Sequence, residues 1–227
     1  MCKITSCIHF TTEVQKQHTV MPEIIKKLAH LSMEDVMPVI MLFRSIYPIS
    51  VESEHFLKDH IFKIRLSKGK NLHKAGDICN NLYFLVQGAM RCFIKEGTRD
   101  STTWITVEGE LVAPIYSFIN QVPTFENVQA IEECDLLGMS HLNLQKMYSL
   151  FPEFNIVARV IFEKYYSDAE IRALIPRLKN AEIKYEYFLS TYNHLSNRIQ
   201  LKYIASFLGI KLETLSRVRA LKTKKPV

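Results

Sequence analysis

The spacing of hydrophobic positions changes twice along the chain. Between residues 34 and 59, and again after Gly138, apolar residues recur at the spacing of amphipathic helices. From about Phe62 they form short runs rich in β-branched and aromatic residues, such as LYFLVQGAMRCFI, and six of the seven glycines fall between residues 69 and 138. The pattern predicts helices on both sides of a compact all-β unit, a barrel or roll.

A long helix is predicted over residues 154–175, after Pro152 and before Pro176. Its first half, FNIVARVIF, is apolar on nearly every side, so it must be covered on more than one face. We expect one face to pack on the β unit and the other on a second copy of the chain. An internal core helix is the alternative. The stripe assigned to the dimer helix is Phe154, Ala158, Ile161 and Tyr165.

Near the C-terminus, LKYIASFLGIKLETLSRVR holds two short apolar patterns separated by Gly209. A helix-turn-helix needs a small residue where its helices cross, which Ala205 supplies, and a left-handed turn position, which Gly209 supplies. Apolar residues also fall where both helices must face the core. These are Ile204, Leu208, Ile210, Leu215 and Val218. The stretch predicts a helix-turn-helix, with a purely structural helix pair as the alternative.

The outward face of the second helix carries side chains that can bind DNA. Arginine can donate two hydrogen bonds to guanine, glutamate can accept one from cytosine, and lysine or hydroxyl groups can bind phosphates. Glu213 and Arg217 are four residues apart and share a face, where a simple surface ion pair is the alternative. The assigned DNA-binding set is Lys202, Lys211, Leu212, Glu213, Thr214, Ser216, Arg217 and Arg219.

Positive charge is concentrated in the same region. Residues 198–227 hold eight basic residues and one acidic residue, a net charge of +7, whereas the entire chain has a net charge of +6. The rest of the chain is therefore close to neutral, and the basic end favours a polyanionic partner.

The remaining composition narrows the class of protein. The five cysteines are scattered without a CxxC pair, which argues against a disulfide framework, a metal site or an iron–sulfur cluster and predicts reduced structural thiols. No apolar run is long enough for a membrane span, and the first residues lack a signal-peptide core, so we expect a soluble cytoplasmic protein. No catalytic constellation stands out, so an enzyme is the weakest hypothesis and no cofactor is expected.

The stretch IASFLGIKLETLSRVR resembles the recognition motif of the Crp/Fnr family of bacterial transcription regulators. HKAGDICNNLYFLVQGAMRCFI resembles the opening of that family's cyclic-nucleotide-binding-type β-roll, and VEGEL resembles its phosphate cassette. The resemblance implies an α+β chain that forms a homodimer on a two-fold-symmetric site in double-stranded DNA. It implies base contacts from Glu213 and Arg217, and phosphate contacts from Lys211 and Thr214.

The implied organisation has four parts. Residues 1–45 form an N-terminal helical extension, and residues 46–140 form the β-roll sensor of double-stranded β-helix or jelly-roll type. Residues 141–178 form the hinge and dimerisation helix, and residues 179–227 form the helix-turn-helix domain. NHLSN is too short for a wing hairpin before the motif, and KTKKPV leaves no room for one after it, so the wing is expected to be reduced or absent.

Two departures from the family pattern affect the DNA sequence and the effector that the protein is expected to bind. Leu212 stands where family members often place a basic base-contacting residue, so the familiar target sequence is not expected. Thr124 and Phe125 stand where the family has its phosphate-binding arginine, and a buried phosphate without a cation is too costly to expect. The candidate effector pocket is Gly109, Glu110, Leu111, Thr124, Phe125 and Asn127.

The leading hypothesis is therefore a homodimeric, sequence-specific DNA-binding regulator that does not bind cyclic AMP and whose effector is unknown. The roll could instead act as a dimer scaffold or as a surface for RNA polymerase. The main alternative is an effector-binding module whose helix pair is only structural.

Overall fold

The computed structural model describes residues 26–28 and 31–223. Helix α1 (Met33–Ile46) begins after Ser32, whose side chain exchanges hydrogen bonds with Asp35 in a capping box. Helix α2 (Val51–His60) begins after Ser50, whose side chain accepts a hydrogen bond from the amide of Ser53. A short strand, β1 (Lys26–Leu28), lies within the predicted N-terminal helical extension, most of whose first 30 residues fall outside the described part.

The central unit is a roll of two antiparallel sheets. One sheet has the order β1-β2-β9-β4-β7 and the other the order β3-β8-β5-β6. The strands are β2 (Phe62–Leu66), β3 (Asn71–His73), β4 (Asn81–Gln87), β5 (Met90–Glu96), β6 (Arg99–Thr106), β7 (Leu111–Val112), β8 (Asn127–Ala130) and β9 (Cys134–Ser140). A short helix, α3 (Ile115–Asn120), follows β7. The predicted β-roll is confirmed.

The roll encloses its own core because alternate residues of the strands point inward. Ile64, Leu85, Cys92 and Leu136 are fully buried there. Gly138 allows β9 to lie close to a neighbouring ring, since a Cβ at this position would stand 2.5 Å from an atom of Phe62.

Helix α4 (His141–Leu150) starts after Ser140, and helix α5 (Glu153–Leu174) follows Pro152. A 3₁₀ turn over Ile175–Arg177 contains Pro176 and ends the long helix, as predicted. Among the described residues, no helix is both long and apolar enough to cross a membrane.

The stripe assigned to the dimer interface lies largely against the chain's own helix α1 and roll. Phe154 is 2 % exposed and its ring meets that of Phe43 edge-on at 5.3 Å. Ile161 is partly buried in the same cluster, and the hydroxyl of Tyr165 accepts a hydrogen bond from the amide of Leu111 at 2.6 Å. The apolar face that remains exposed on α5 carries different residues, among them Phe162 and Tyr166, because both sides of this helix are apolar.

Three helices complete the fold. They are α6 (Ala181–Tyr192), α7 (Leu201–Phe207) and α8 (Leu212–Thr223), and α8 packs on both α6 and α7. A 3₁₀ turn over Asn193–Leu195 joins α6 to the segment before α7, so no wing hairpin lies between them, in line with the sequence prediction. The core of these helices continues into the roll through Ala89, Ile105, Val107 and Ile131.

Candidate nucleic-acid interface

The turn between α7 and α8 has the backbone that the sequence predicts. Gly209 adopts φ +62°, a left-handed conformation that costs other residues free energy. The amide of Ile210 donates to the carbonyl of Ala205 at 3.0 Å, which closes the turn. A Cβ on Gly209 would stand 3.2 Å from Cβ of Pro176, so this turn also packs on the end of the long helix.

The predicted core positions of the motif are buried. Ile204, Leu208 and Leu215 are fully buried, and Ala205 and Val218 are nearly so. Ile210 is partly buried and packs on the same cluster. These contacts fix α8 against α6 and α7 by one face and leave the opposite face in solvent.

That opposite face carries most of the assigned DNA-binding residues. Thr214 is half-buried there. No ion pair joins Glu213 to Arg217 among the described residues, so the surface-pair alternative is not formed and both side chains are available to a partner. The exposed members of the assigned set, of which Lys202 lies on α7, are Lys202, Lys211, Leu212, Glu213, Ser216 and Arg217.

Arg219 does not belong to this face. Its guanidinium donates to the carbonyl of Ser196 at 2.8 Å and to Oδ1 of Asn197 at 3.0 Å. Because successive residues of an α-helix are about 100° apart, Arg219 lies about 200° from Arg217 and points back to the segment before α7. Arg219 thus supports that segment from within the chain, and its assignment to DNA binding stays a prediction.

The sequence did not reveal that Arg198, counted in the basic cluster, binds carboxylates of the roll. Its Nε lies 2.8 Å from Oε1 of Glu132 and its Nη1 lies 3.1 Å from Oε2 of Glu108. Partial burial opposes ionisation of Glu108, but hydrogen bonds from Arg198 and from the amide of Gly88 hold the pKa of this carboxyl below its ordinary value. No local sequence signal exists for these partners, which are 66 and 90 residues away.

Helix α7 adds further contacts to the roll. The Ser206 hydroxyl accepts from the amide of Thr102 and donates to the carbonyl of Asp100, both at 2.9 Å. The ring of Tyr203 lies 4.3 Å from the guanidinium carbon of Arg91. We call this set, with Arg198, Glu108 and Glu132, the interdomain contact.

Arg91 is held rigidly for that role. It is 4 % exposed and donates to Gln129 at 3.0 Å and to Asp100 at 2.8 Å, and its guanidinium carbon also lies 4.0 Å from the ring centroid of Phe93. A buried arginine with its charge paired and aromatic rings close by is a stable platform for the ring of Tyr203.

The residues of the candidate effector pocket are held in two separate hydrogen-bonded groups. Glu110 accepts from the amide of Val107 at 3.1 Å, and burial raises the pKa of its carboxyl. Gly109 donates to the carbonyl of Leu85 at 2.8 Å, and Leu111 donates to Tyr165 of α5. This group is tied to β4 and to the long helix.

The second group lies against the loop after β3. Thr124 donates to the carbonyl of Asp77 at 2.8 Å, and Oδ1 of Asn127 accepts from Ala75 at 3.2 Å. Phe125 is 58 % exposed rather than enclosed. A groove of about 540 Å³ lies elsewhere on the described part of the chain, between Tyr47, Ile49 and the start of α5.

The described cysteines are buried free thiols. Burial raises the pKa of Cys79 to about 12 and that of Cys134 to about 12, which disfavours the thiolate that metals and disulfide chemistry need. Among residues 31–223 and 26–28, no group of three metal-type ligands is present. Cys2 and Cys7 lie outside the described residues.

Comparison with known proteins agrees with this architecture. Residues 63–150 match the family model of the cyclic nucleotide-binding domain. No curated protein sequence matches the chain.

Solved structures share the fold of most of the chain. FixK2 of Bradyrhizobium japonicum is 17 % identical, with a TM-score of 0.61 over 71 % of this chain and 83 % of that one. CLP of Xanthomonas campestris, described as a c-di-GMP-responsive global regulator, is 17 % identical, with a TM-score of 0.59 over 77 % of this chain and 92 % of that one.

A third structure is a Crp/Fnr-family regulator from Eubacterium rectale. It is 15 % identical, with a TM-score of 0.60 over 78 % of this chain and 85 % of that one. With the family match to residues 63–150, these likenesses identify a cyclic nucleotide-binding domain in a chain whose fold fits the Crp/Fnr family of transcription regulators.

Proposed function

We propose that this protein is a homodimeric, sequence-specific DNA-binding transcription regulator of the cytoplasm. The observation that carries the proposal is the exposed face of α8, on which Glu213 and Arg217 project from a helix whose other face is buried, with the exposed Lys211 immediately before the helix. In a helix-turn-helix this second helix enters the major groove.

The side chains of that face divide into two kinds of contact. Arg217 would donate to O6 and N7 of guanine, and Glu213 would accept from N4 of cytosine. Lys211 and Ser216 would bind phosphates, and the half-buried Thr214 would add a hydroxyl. Leu212, 42 % exposed, would contact a thymine methyl where a basic residue would otherwise read guanine.

Dimerisation is proposed through the exposed face of α5. Phe162 is 43 % exposed and Tyr166 is 69 % exposed, and a spacing of four residues puts them on one side of the helix. Large apolar side chains in solvent along a long helix favour a second helix as their cover. A two-fold dimer would present two copies of α8 to a two-fold-symmetric site.

The roll is proposed not to bind cyclic AMP. Glu110 is already hydrogen-bonded to Val107, and the segment 123–134 contains no lysine or arginine to pair with a phosphate. The c-di-GMP response belongs to CLP, whose name gives no ligand for this chain.

The test is selection of bound sequences from a random duplex pool, followed by measurement of affinity against salt. We expect a two-fold-symmetric consensus and an affinity that falls steeply with salt, because phosphate contacts release counterions. Arg217→Ala should lose about 1–3 kcal/mol of binding and relax specificity at one base pair.

Arg65→Ala is the matched control. Arg65 lies on strand β2 of the roll, where its side chain is 67 % exposed and pairs with Asp135 of β9. It removes the same charge and should leave specificity unchanged. Binding that is insensitive to both salt and Arg217→Ala would contradict the proposal and favour an effector-binding module with a structural helix pair.

A further inference from the structure

The interdomain contact occupies two of the three polar side chains that α7 would offer to DNA. The first helix of a helix-turn-helix crosses the DNA backbone, where polar side chains meet phosphates. Helix α7 has three polar residues, Lys202, Tyr203 and Ser206. Two of them are committed to the roll, Ser206 by both of its hydrogen bonds and Tyr203 by its stacking on Arg91.

The surroundings of the contact are acidic. The carboxylates of Glu108 and Glu132 flank Arg198, and Asp100 lies beside Ser206 and pairs with Arg91. Like charges in proximity repel, so a DNA backbone that approached α7 along this side would meet carboxylates of the roll.

One polar group at the contact is left unsatisfied. The hydroxyl oxygen of Thr102 is buried without a hydrogen-bond partner among the described residues, next to the amide that donates to Ser206. Buried unsatisfied groups cost free energy, so the docked arrangement does not use all the bonding capacity of these residues.

We propose that the interdomain contact is autoinhibitory and that Arg198 is a positioning residue of the DNA-reading domain. Arg198 acts through Glu108 and Glu132 to hold α7 on the roll, and double-stranded DNA competes with the roll for the polar side of α7. The inference rests on the proposed function. Glu108 immediately precedes Gly109 and Glu110 of the candidate effector pocket, so the contact also joins that turn to the DNA-reading domain.

The alternative is that Arg198 is a DNA-phosphate ligand, as its place in the basic cluster suggests. The two roles predict opposite signs for the same substitution. Loss of a phosphate ligand weakens binding and lowers the salt slope by about one, whereas loss of an inhibitory contact strengthens binding.

The experiment measures affinity for the selected duplex in the full chain and in Arg198→Gln, Glu108→Gln and the double variant. We expect both single variants to bind more tightly, on the order of tenfold, because each removes charged hydrogen bonds of the docked state. The double variant should gain less than the product of the single effects, since both changes remove the same interaction.

Arg65→Gln and Asp135→Asn are the matched controls. They change the net charge by the same amounts and break an ion pair of 2.7 Å on a part of the roll that does not hold α7. A gain in affinity confined to Arg198→Gln and Glu108→Gln supports the proposal. Weaker binding of Arg198→Gln with a lower salt slope, or affinities that match the controls, would overturn it.

Hydrogen exchange at the amide of Thr102, measured without DNA, separates the two proposals. This amide is bonded to Ser206, so its exchange should be faster in Arg198→Gln and Glu108→Gln than in the controls. Faster exchange with no duplex bound by any variant would contradict the proposed function alone. Unchanged exchange would overturn the autoinhibitory contact alone.

Discussion

The buried histidine of the roll shows how one residue can set the acid stability of the domain. His73 is 7 % exposed, and its Nε2 lies 3.4 Å from the thiol of Cys79. Burial lowers the pKa of His73 to about 4, with the charge of Asp77 opposing this shift, whereas an unfolded histidine titrates near 6.5. Between these values the unfolded chain binds the extra proton, so stability is fully present above about pH 6.5 and falls as the pH drops toward 4.

The expected size of this effect is about 3 kcal/mol across the window. We predict that His73→Gln flattens the dependence of the free energy of unfolding on pH between 7 and 5, measured by urea denaturation. His55→Gln, a change at an exposed position, is the control and should leave the pH dependence as it is. A His73→Gln protein that loses as much stability as its parent over this range would refute the assignment.

At the same scale, the basic residues near the C-terminus show what sequence reasoning can reach. Glu213 and Arg217 lie on one face because helical periodicity fixes their direction, and the sequence predicts this. Arg198 and Arg219 have the same charge but are hydrogen-bonded to partners within the chain. Charge counts and local spacing cannot predict such partners, because the docking of α7 on β6 depends on the packing of the entire chain.

At the scale of elements, the turn of the helix-turn-helix can be tested against a second turn with nearly the same backbone. Gly209 has φ +62° and Gly97, between β5 and β6, has φ +60°. An added Cβ at Gly97 meets nothing within 4 Å, but at Gly209 it meets Pro176 at 3.2 Å. The left-handed conformation should cost both alanine variants about 1–2 kcal/mol of stability, and Gly209→Ala must also displace Pro176.

We therefore predict that Gly209→Ala lowers the free energy of unfolding more than Gly97→Ala, as measured by urea denaturation. The difference between the two variants reports the packing of the turn against the end of the long helix. Equal losses would mean that this packing contributes nothing to stability.

The sequence predicts the long helix α5 but not which of its sides faces inward. Its existence and its end at Pro176 follow from the hydrophobic pattern and the prolines, and both are present in the structure. Which apolar side faces inward does not follow, because FNIVARVIF is apolar on nearly every side. Phe154 is buried against helix α1 and Tyr165 is bonded to the roll, whereas Phe162 and Tyr166 stay exposed.

At the scale of the whole molecule, the two sides of α5 predict opposite results for assembly and stability. Phe162→Glu combined with Tyr166→Glu places two negative charges on the exposed side of α5. We expect the dimer to dissociate to the 26.4 kDa chain, because charges cannot be buried between two apolar helix faces without cost. The free energy of unfolding of the single chain should change little. Phe154→Ala empties a buried site and should cost about 3–5 kcal/mol of stability instead. Sedimentation equilibrium gives the mass, and urea denaturation gives the stability.

Leu142→Glu is the control for the added charge, because Leu142 is 64 % exposed on α4. It should leave the mass unchanged. A single chain carries one copy of α8, so the dissociated variant should also lose the preference for a two-fold-symmetric duplex over one half-site, while Arg217 still reads its base pair. A variant that stays dimeric would place the partner surface outside this face of α5, and a monomeric parent chain would contradict the proposed homodimer.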